Sequence, residues 1–213
     1  MVRQRILPHV ALVLGTLALV TAFSPTRAQA QGLFSFFGGG GGSRDVVRFS
    51  KKYAPRQIIV SFGDRRLYYI NRRGQAISYP IAVPRPQSRW SGVQYVSMKR
   101  VNPPWTPTPQ MRRENPRLPA YVPGGHPRNP LGKRAIYLGS TLYRIHGTDA
   151  PWTIGQNVSK GCIRMHNNHV AELYRYARVG MKVTATYKRY RAASISSSST
   201  QVAGSGTLGF SNN

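Results

Sequence analysis

Carboxylates are scarce in this chain, with five acidic side chains against 31 lysines and arginines in 213 residues. Arg3, Arg5 and Arg27 precede a predicted cleavage site. Without them, 28 basic groups face five acidic ones, a net charge of +23. Such an excess draws a protein towards polyanions and speeds its encounter with them. In a chain retained in the cytosol the partner would be nucleic acid. No RNA-binding aromatic motif, zinc knuckle or helix-turn-helix pattern accompanies the charge. The expected partners are therefore anionic envelope polymers or an anionic membrane face, with no nucleic acid. The plainer alternative is that the charge only keeps an exported protein soluble.

Cysteine is nearly absent as well. Cys162 stands alone, which excludes an internal disulfide. It is left to pair with another chain, to lie buried and inert, or to act as a free thiol. Long apolar runs are missing beyond the first 30 residues. Val10 to Ala22 follows Arg3 and Arg5 and precedes the small-x-small triplet Ala28-Gln29-Ala30. That order predicts a signal peptide over residues 1–30. The run is short for a bilayer, so no transmembrane span is expected after cleavage, and the product is expected in the periplasm or cell envelope.

Composition divides the remainder. Residues 31–53 contain a glycine run, Gly38 to Gly42, behind a small apolar patch of Leu33, Phe34, Phe36 and Phe37, and read as a flexible leader. Residues 191–213 are rich in serine and glycine and nearly uncharged, which predicts a disordered tail. Residues 54–190 read as one domain. Ile58 to Phe62 and Leu67 to Ile70 are β-prone runs joined across Gly63-Asp64. A turn at Arg72-Arg73-Gly74 leads to a strand over Ala76 to Val83. Prolines crowd residues 102–130, which predicts a long ordered loop of the sort that builds or covers sites. Ala135 to Leu138, Leu142 to His146 and Met181 to Tyr187 return to strand character. Val170, Leu173, Tyr174 and Ala177 share one helical face, with Asn168 as the expected N-cap and Gly180 beyond the end. The expected fold class is mainly β, an antiparallel sandwich or partly closed barrel with one or two helices.

Chemistry concentrates in Tyr143 to Met165, YRIHGTDAPWTIGQNVSKGCIRM. His146 ends a predicted strand, and Gly147 and Thr148 follow where the chain turns. Cys162 comes sixteen residues later, within Ser159-Lys160-Gly161-Cys162. A free thiol is mostly protonated at neutral pH, so a nucleophilic cysteine needs a base and positive surroundings. His146 is the candidate base, and Lys160 and Arg164 the candidate charges. Gly161 is expected to let a carbonyl substrate approach, with backbone N–H groups at Gly161 and Cys162 binding an oxyanion. Ser159 is read equally as a turn residue or a substrate contact. Arg164 is read equally as a structural ion-pair partner or a carboxylate clamp. His126, His166, His169 and Asp149 read as surface or turn residues.

HGT, a following glycine and S-x-GCIRM together resemble the signature of the L,D-transpeptidase (YkuD-type) catalytic domain. Asn129-Pro130-Leu131-Gly132, Arg134-Ala135, Tyr137-Leu138-Gly139 and Tyr143-Arg144-Ile145-His146 are similar to that family's approach to its active site. Pro103 to Pro109 resembles its substrate-side loop. The resemblance covers roughly residues 54 to 188. It implies that Cys162 attacks the carbonyl of the third residue of a peptidoglycan stem peptide, usually a diamino acid, and releases D-alanine. An amine of a second stem then resolves the thioester as a 3→3 cross-link. Water in its place would make an L,D-carboxypeptidase, and a protein lysine, as on an outer-membrane protein acceptor, would anchor that protein to the wall. No metal or organic cofactor is implied. A backbone carbonyl often serves as the histidine's partner in such enzymes, and carbapenems acylate their cysteine. Two departures stand out: Lys160 where many relatives carry histidine, and His169 where aspartate is usual. A basic wall-binding scaffold without activity is the alternative of another class.

Overall fold

The computed structural model describes residues 43–195. The predicted signal peptide, the glycine run and most of the predicted tail lie outside the described residues. No helix among the described residues is long and apolar enough to cross a membrane.

Among the described residues, eleven strands and two α-helices follow one another. The first five strands are β1 (Asp45–Arg48), β2 (Ile58–Ser61), β3 (Arg66–Arg72), β4 (Gln75–Pro80) and β5 (Val83–Pro84). After β6 (Gly92–Val101) comes helix α1 (Pro109–Glu114), then β7 (Arg134–Leu138) and β8 (Arg144–His146). The chain closes with β9 (Asn157–Ser159), β10 (Ile163–Arg164), helix α2 (Asn167–Tyr176) and β11 (Lys182–Thr186). Nine strands form one sheet in the order β1-β4-β3-β2-β11-β6-β7-β8-β10, and β5 pairs separately with β9. Most pairs are antiparallel, as expected. Three are parallel: β11 with β2, β10 with β8 and β5 with β9.

The predicted hairpin between β2 and β3 forms, and Ser61 and Asp64 hold its turn. Ser61 Oγ accepts from the Asp64 amide at 3.0 Å, and Asp64 accepts from the Tyr68 hydroxyl at 2.9 Å. Alternation along these strands then makes two cores. Ile58, Val60, Leu67 and Tyr79 face the larger one, together with Ile145, Ile163 and Met165. The apolar stripe of α2, with Val170, Leu173 and Ala177 all inaccessible to solvent, closes that core as its periodicity predicts. Ile59, Tyr68, Ile70 and Ala76 face the other way, into a smaller core with Val47 and Phe49.

That smaller core moves the domain boundaries. Residues 43–53, expected in a flexible leader, supply β1, whose Val47 is buried beside Phe49. The expected tail also begins too early, because Ser194 bridges Val47 and the Ile195 amide donates to the Val46 carbonyl at 2.8 Å. The glycine run masked this: β2 is apolar on both faces, and Val47 and Phe49 join Tyr68, Ile70 and Ala76 in covering its outer face.

The ten-residue strand β6 was not expected. Of its residues only Val96 is buried, so it shows no apolar alternation, and its place between β11 and β7 is set by backbone pairing. Helix α2 begins at Asn167 with His166 at its N-cap, not at Asn168, and no side chain caps it. The proline-rich segment is the ordered loop expected. Buried Asn129 ties it down, donating to the Pro103 and Pro123 carbonyls at 2.9 and 3.1 Å and accepting from the Leu131 amide at 2.9 Å. Within it α1 starts on Thr108, whose side chain accepts from the Met111 amide.

Because burying an aliphatic or aromatic side chain contributes about 1.5–3 kcal/mol, a chain beginning at Ala54 should lose about 3 kcal/mol or more relative to one beginning at Ser43. Urea unfolding of the two chains measures the difference, and equal midpoints would refute the role given to β1.

Candidate active site

The site is assembled by the parallel pair β8 and β10. Ile163 lies level with Ile145 and Arg164 with His146, so Cys162, one step earlier, lies level with Arg144. Side chains alternate along a strand and match across a pair. Ile145 and Ile163 therefore turn inward, where both are fully buried, while Arg144, His146, Cys162 and Arg164 share the opposite face. By ideal strand spacing the Cα atoms of His146 and Cys162 are roughly 8 Å apart, a gap that an imidazole leaning towards a thiol can bridge. All four side chains line one cavity of about 640 Å³. Its far wall is the proline-rich loop with α1, through Trp105, Thr108, Gln110, Met111 and Arg113.

His146 is buried, and its Nδ1–H donates to the Gly147 carbonyl at 2.5 Å. A carbonyl can only accept, so this bond fixes the tautomer and leaves Nε2 with its lone pair. Burial, then the charge of Arg164, lowers the His146 pKa to about 3 against the opposing Gly147 bond. The imidazole is thus neutral at ordinary pH. The Cys162 thiol contacts the Leu142 carbonyl at 3.6 Å. Burial pushes its pKa up, while Arg144 and Arg164 pull it down by a smaller amount. Arg164 favours the thiolate as expected, yet desolvation outweighs it and the net shift of the thiol is upward.

The other predicted residues divide between the cavity and its supports. Arg164 lines the cavity. Ser159 also borders it, and its hydroxyl donates to the Cys162 carbonyl, holding the bend before the thiol. Lys160 reaches across to α1 and forms an ion pair with Glu114, which removes its charge from the thiol's service. Gly161 has φ +125°, and a Cβ there would meet the Tyr143 ring at 2.6 Å. Its missing side chain therefore makes room for Tyr143, which stacks on Trp90 at 4.7 Å. Trp90 Nε1 also donates to the Gly161 carbonyl at 2.9 Å.

Gly147 and Thr148 stand behind the histidine, outside the cavity lining. Asn167, which the sequence reading did not single out, holds them. Its Nδ2 donates to the Thr148 carbonyl at 2.8 Å, and its Oδ1 accepts from the Lys133 and Thr148 amides at 3.1 and 3.3 Å. A side chain on Gly147 would collide with that same Oδ1. Arg144 was also missed, although its place two residues before His146 in a strand puts it on the same face. His169 lies away from the cavity and packs against Tyr79 and His166, its pKa lowered by burial and then by His166. Among the described residues no group of three or more histidine, cysteine or carboxylate side chains is gathered in a way that would hold a metal ion.

This arrangement resembles known proteins in both sequence and shape. The family model of the YkuD L,D-transpeptidase catalytic domain matches residues 55–184. The probable L,D-transpeptidase ErfK/SrfK of Escherichia coli (strain K12) is 41% identical over 133 residues, covering 59% of this chain and 42% of that protein. The probable L,D-transpeptidase YbiS of the same strain is 37% identical over 133 residues, covering 59% and 43%. This chain therefore spans about two-fifths of the length of those relatives. Among solved structures, the Ldtfm-avibactam carbamoyl enzyme superposes with a TM-score of 0.51 at 19% identity, covering 64% of this chain and 51% of that one, a likeness of fold. The family match runs from just before β2 into β11 and takes in every residue that lines the cavity, and the chain belongs to the YkuD family of L,D-transpeptidase catalytic domains.

Proposed function

We propose that this chain is an exported peptidoglycan L,D-transpeptidase, with Cys162 as nucleophile and His146 as the group that carries the proton. The observation that carries this reading is the neutral His146, its Nδ1–H held by the Gly147 carbonyl, on the same sheet face and cavity wall as Cys162. Export is inferred from residues 1–30 of the sequence.

The Cys162 sulfur attacks the carbonyl carbon of the third stem residue as its proton passes to His146 Nε2. Because the resting pair is uncharged, proton loss and attack proceed together, and no thiolate is stored beforehand. The oxyanion is held by backbone N–H groups at Gly161 and Cys162. Collapse expels the D-alanine amine, which takes the proton from His146 and leaves a thioester. An amine of a second stem then gives a proton to His146 and attacks the thioester. The 3→3 amide forms, and the sulfur leaves with that proton. Ser159 and Asn167 act as positioning residues through the Cys162 carbonyl and the Gly147–Thr148 backbone.

Cys162→Ala should abolish D-alanine release and cross-linking from disaccharide-tetrapeptides. His146→Gln should lower the rate by about 10²–10⁴-fold. Mass spectrometry of the products checks both and distinguishes dimers, tripeptides and protein adducts. The intact chain should gain one carbapenem mass, and Cys162→Ala none. A 3→3 dimer made by the Cys162→Ala chain would end the assignment.

The depressed titration of His146 also sets a pH dependence. Between about 6.5, the ordinary histidine value, and about 3 in the fold, the unfolded chain binds a proton that the folded chain refuses. The stability contributed by neutral His146 is complete above pH ~6.5 and drains away as pH falls towards 3. Urea midpoints measured across this window should fall less steeply for His146→Gln than for the unaltered chain, and equal slopes would contradict the depressed titration.

A further inference from the structure

The cavity around Cys162 is basic on the strand face and on the wall opposite. Arg113, Arg144 and Arg164 line it, and among the described residues no carboxylate does. Lys160 is already answered by Glu114. Four of the five acidic side chains in the sequence are committed elsewhere: Asp45 with Arg66, Asp64 with Tyr68 and Tyr190, Glu114 with Lys160 and Glu172 with Arg44. The fifth, Asp149, acts on Arg164 from a neighbouring cavity but forms no ion pair with it among the described residues.

Neither arginine beside the thiol forms an ion pair among the described residues. Arg164 is largely shielded from solvent, its Nε is buried, and its side chain makes no hydrogen bond among the described residues. Arg144 lies over the Tyr137 ring at 5.0 Å and gives one N–H to the Leu142 carbonyl at 3.3 Å, yet its Nε is likewise buried and unpaired. Leaving a desolvated guanidinium N–H without an acceptor is costly, and a carboxylate is the acceptor whose shape and charge fit the fork. Both arginines point from the face that carries Cys162, one level with it across the strand pair and one two residues further along its own strand.

We propose that Arg144 and Arg164 form a seat for a carboxylate of the donor peptide, beside the bond that Cys162 attacks, and so select donors in which that carboxylate is free and not amidated. The inference rests on the acyl-transfer reading above. Two carboxylates flank the scissile bond: that of the departing D-alanine, and that on the side chain of the diamino acid. Either supplies the same chemistry. The basic walls also explain why α1 needs its own carboxylate, since Glu114 offsets Lys160 at the rim and leaves the arginines for the ligand.

Three donors of one stem separate the cases on the full chain: the free diacid, the side-chain amide and the terminal D-alaninamide. One amide should lower kcat/KM about tenfold or more, chiefly through KM, as expected for losing a charge-assisted hydrogen bond, and the identity of that amide names the seated carboxylate. In Arg144→Gln and Arg164→Gln the preference for the free diacid over that amide should collapse towards one, whatever either does to the rate common to all donors. Equal turnover of all three donors by the unaltered chain would overturn the seat, as would variants that slow every donor by the same factor. Calorimetry of the same donors with the Cys162→Ala chain reads the preference without turnover. A loss of acyl transfer with preference for the free acid retained would count against the proposed reaction and not against the seat.

Discussion

The parallel pairing of β10 with β8 is the constraint on which the site depends. A two-residue strand against a three-residue strand is a small piece of sheet, yet its register decides which side chains meet. A slip by one residue would turn Cys162 into the core and bring Ile163 out. Three supports hold that register. Ile145 and Ile163 are buried together beneath it, the Met165 amide donates to the His146 carbonyl at 2.8 Å, and Ala82 exchanges both backbone hydrogen bonds with Arg164 on the outer side. Cys162 and His146 are thus set on the wall of one cavity by backbone pairing and apolar burial.

Electrostatically the site opposes what its surface suggests. The chain is strongly basic, and a thiol among arginines would ordinarily ionise easily. Burial reverses this and holds both partners of the pair neutral. Such a thiol is sheltered from adventitious oxidation and alkylation, which act on the thiolate. In the acyl-transfer reading proposed above, its reactivity is tied instead to an electrophile that enters the cavity and aligns with His146. In that reading the fixed tautomer leaves Nε2 as the acceptor, so no ring flip has to come first.

How much of this the sequence disclosed varied with the kind of force involved. The strands β2, β3, β7 and β11 and the buried face of α2 were legible because burial writes a period into the residues. The thiol, the imidazole and the turn after it were legible as a motif. Strand β6 was not, because backbone pairing to both neighbours holds it and its side chains show no alternation. The covering role of Val47 and Phe49 was hidden beside a glycine run that reads as linker. Asn167 could not be found from local pattern, since its three hydrogen bonds join segments 19 and 34 residues away. The pairing of Lys160 with Glu114 spans 46 residues and carries no local signature either. The packing of the Tyr143 ring where a Gly161 side chain would lie likewise has no local signature.

The pairing of residues 193–195 with β1, and of Ala82 with Arg164 beyond β10, bears on how this protein lives among its own copies. An open sheet ends in two rows of unsatisfied amides and carbonyls, each a template for another strand. Here the first row is covered by the chain's own later residues and the second by the segment entering β5. With both borders closed, two molecules that collide find little backbone to share. The positive charge that repels them at a distance is thereby matched by a surface that offers no ladder at contact.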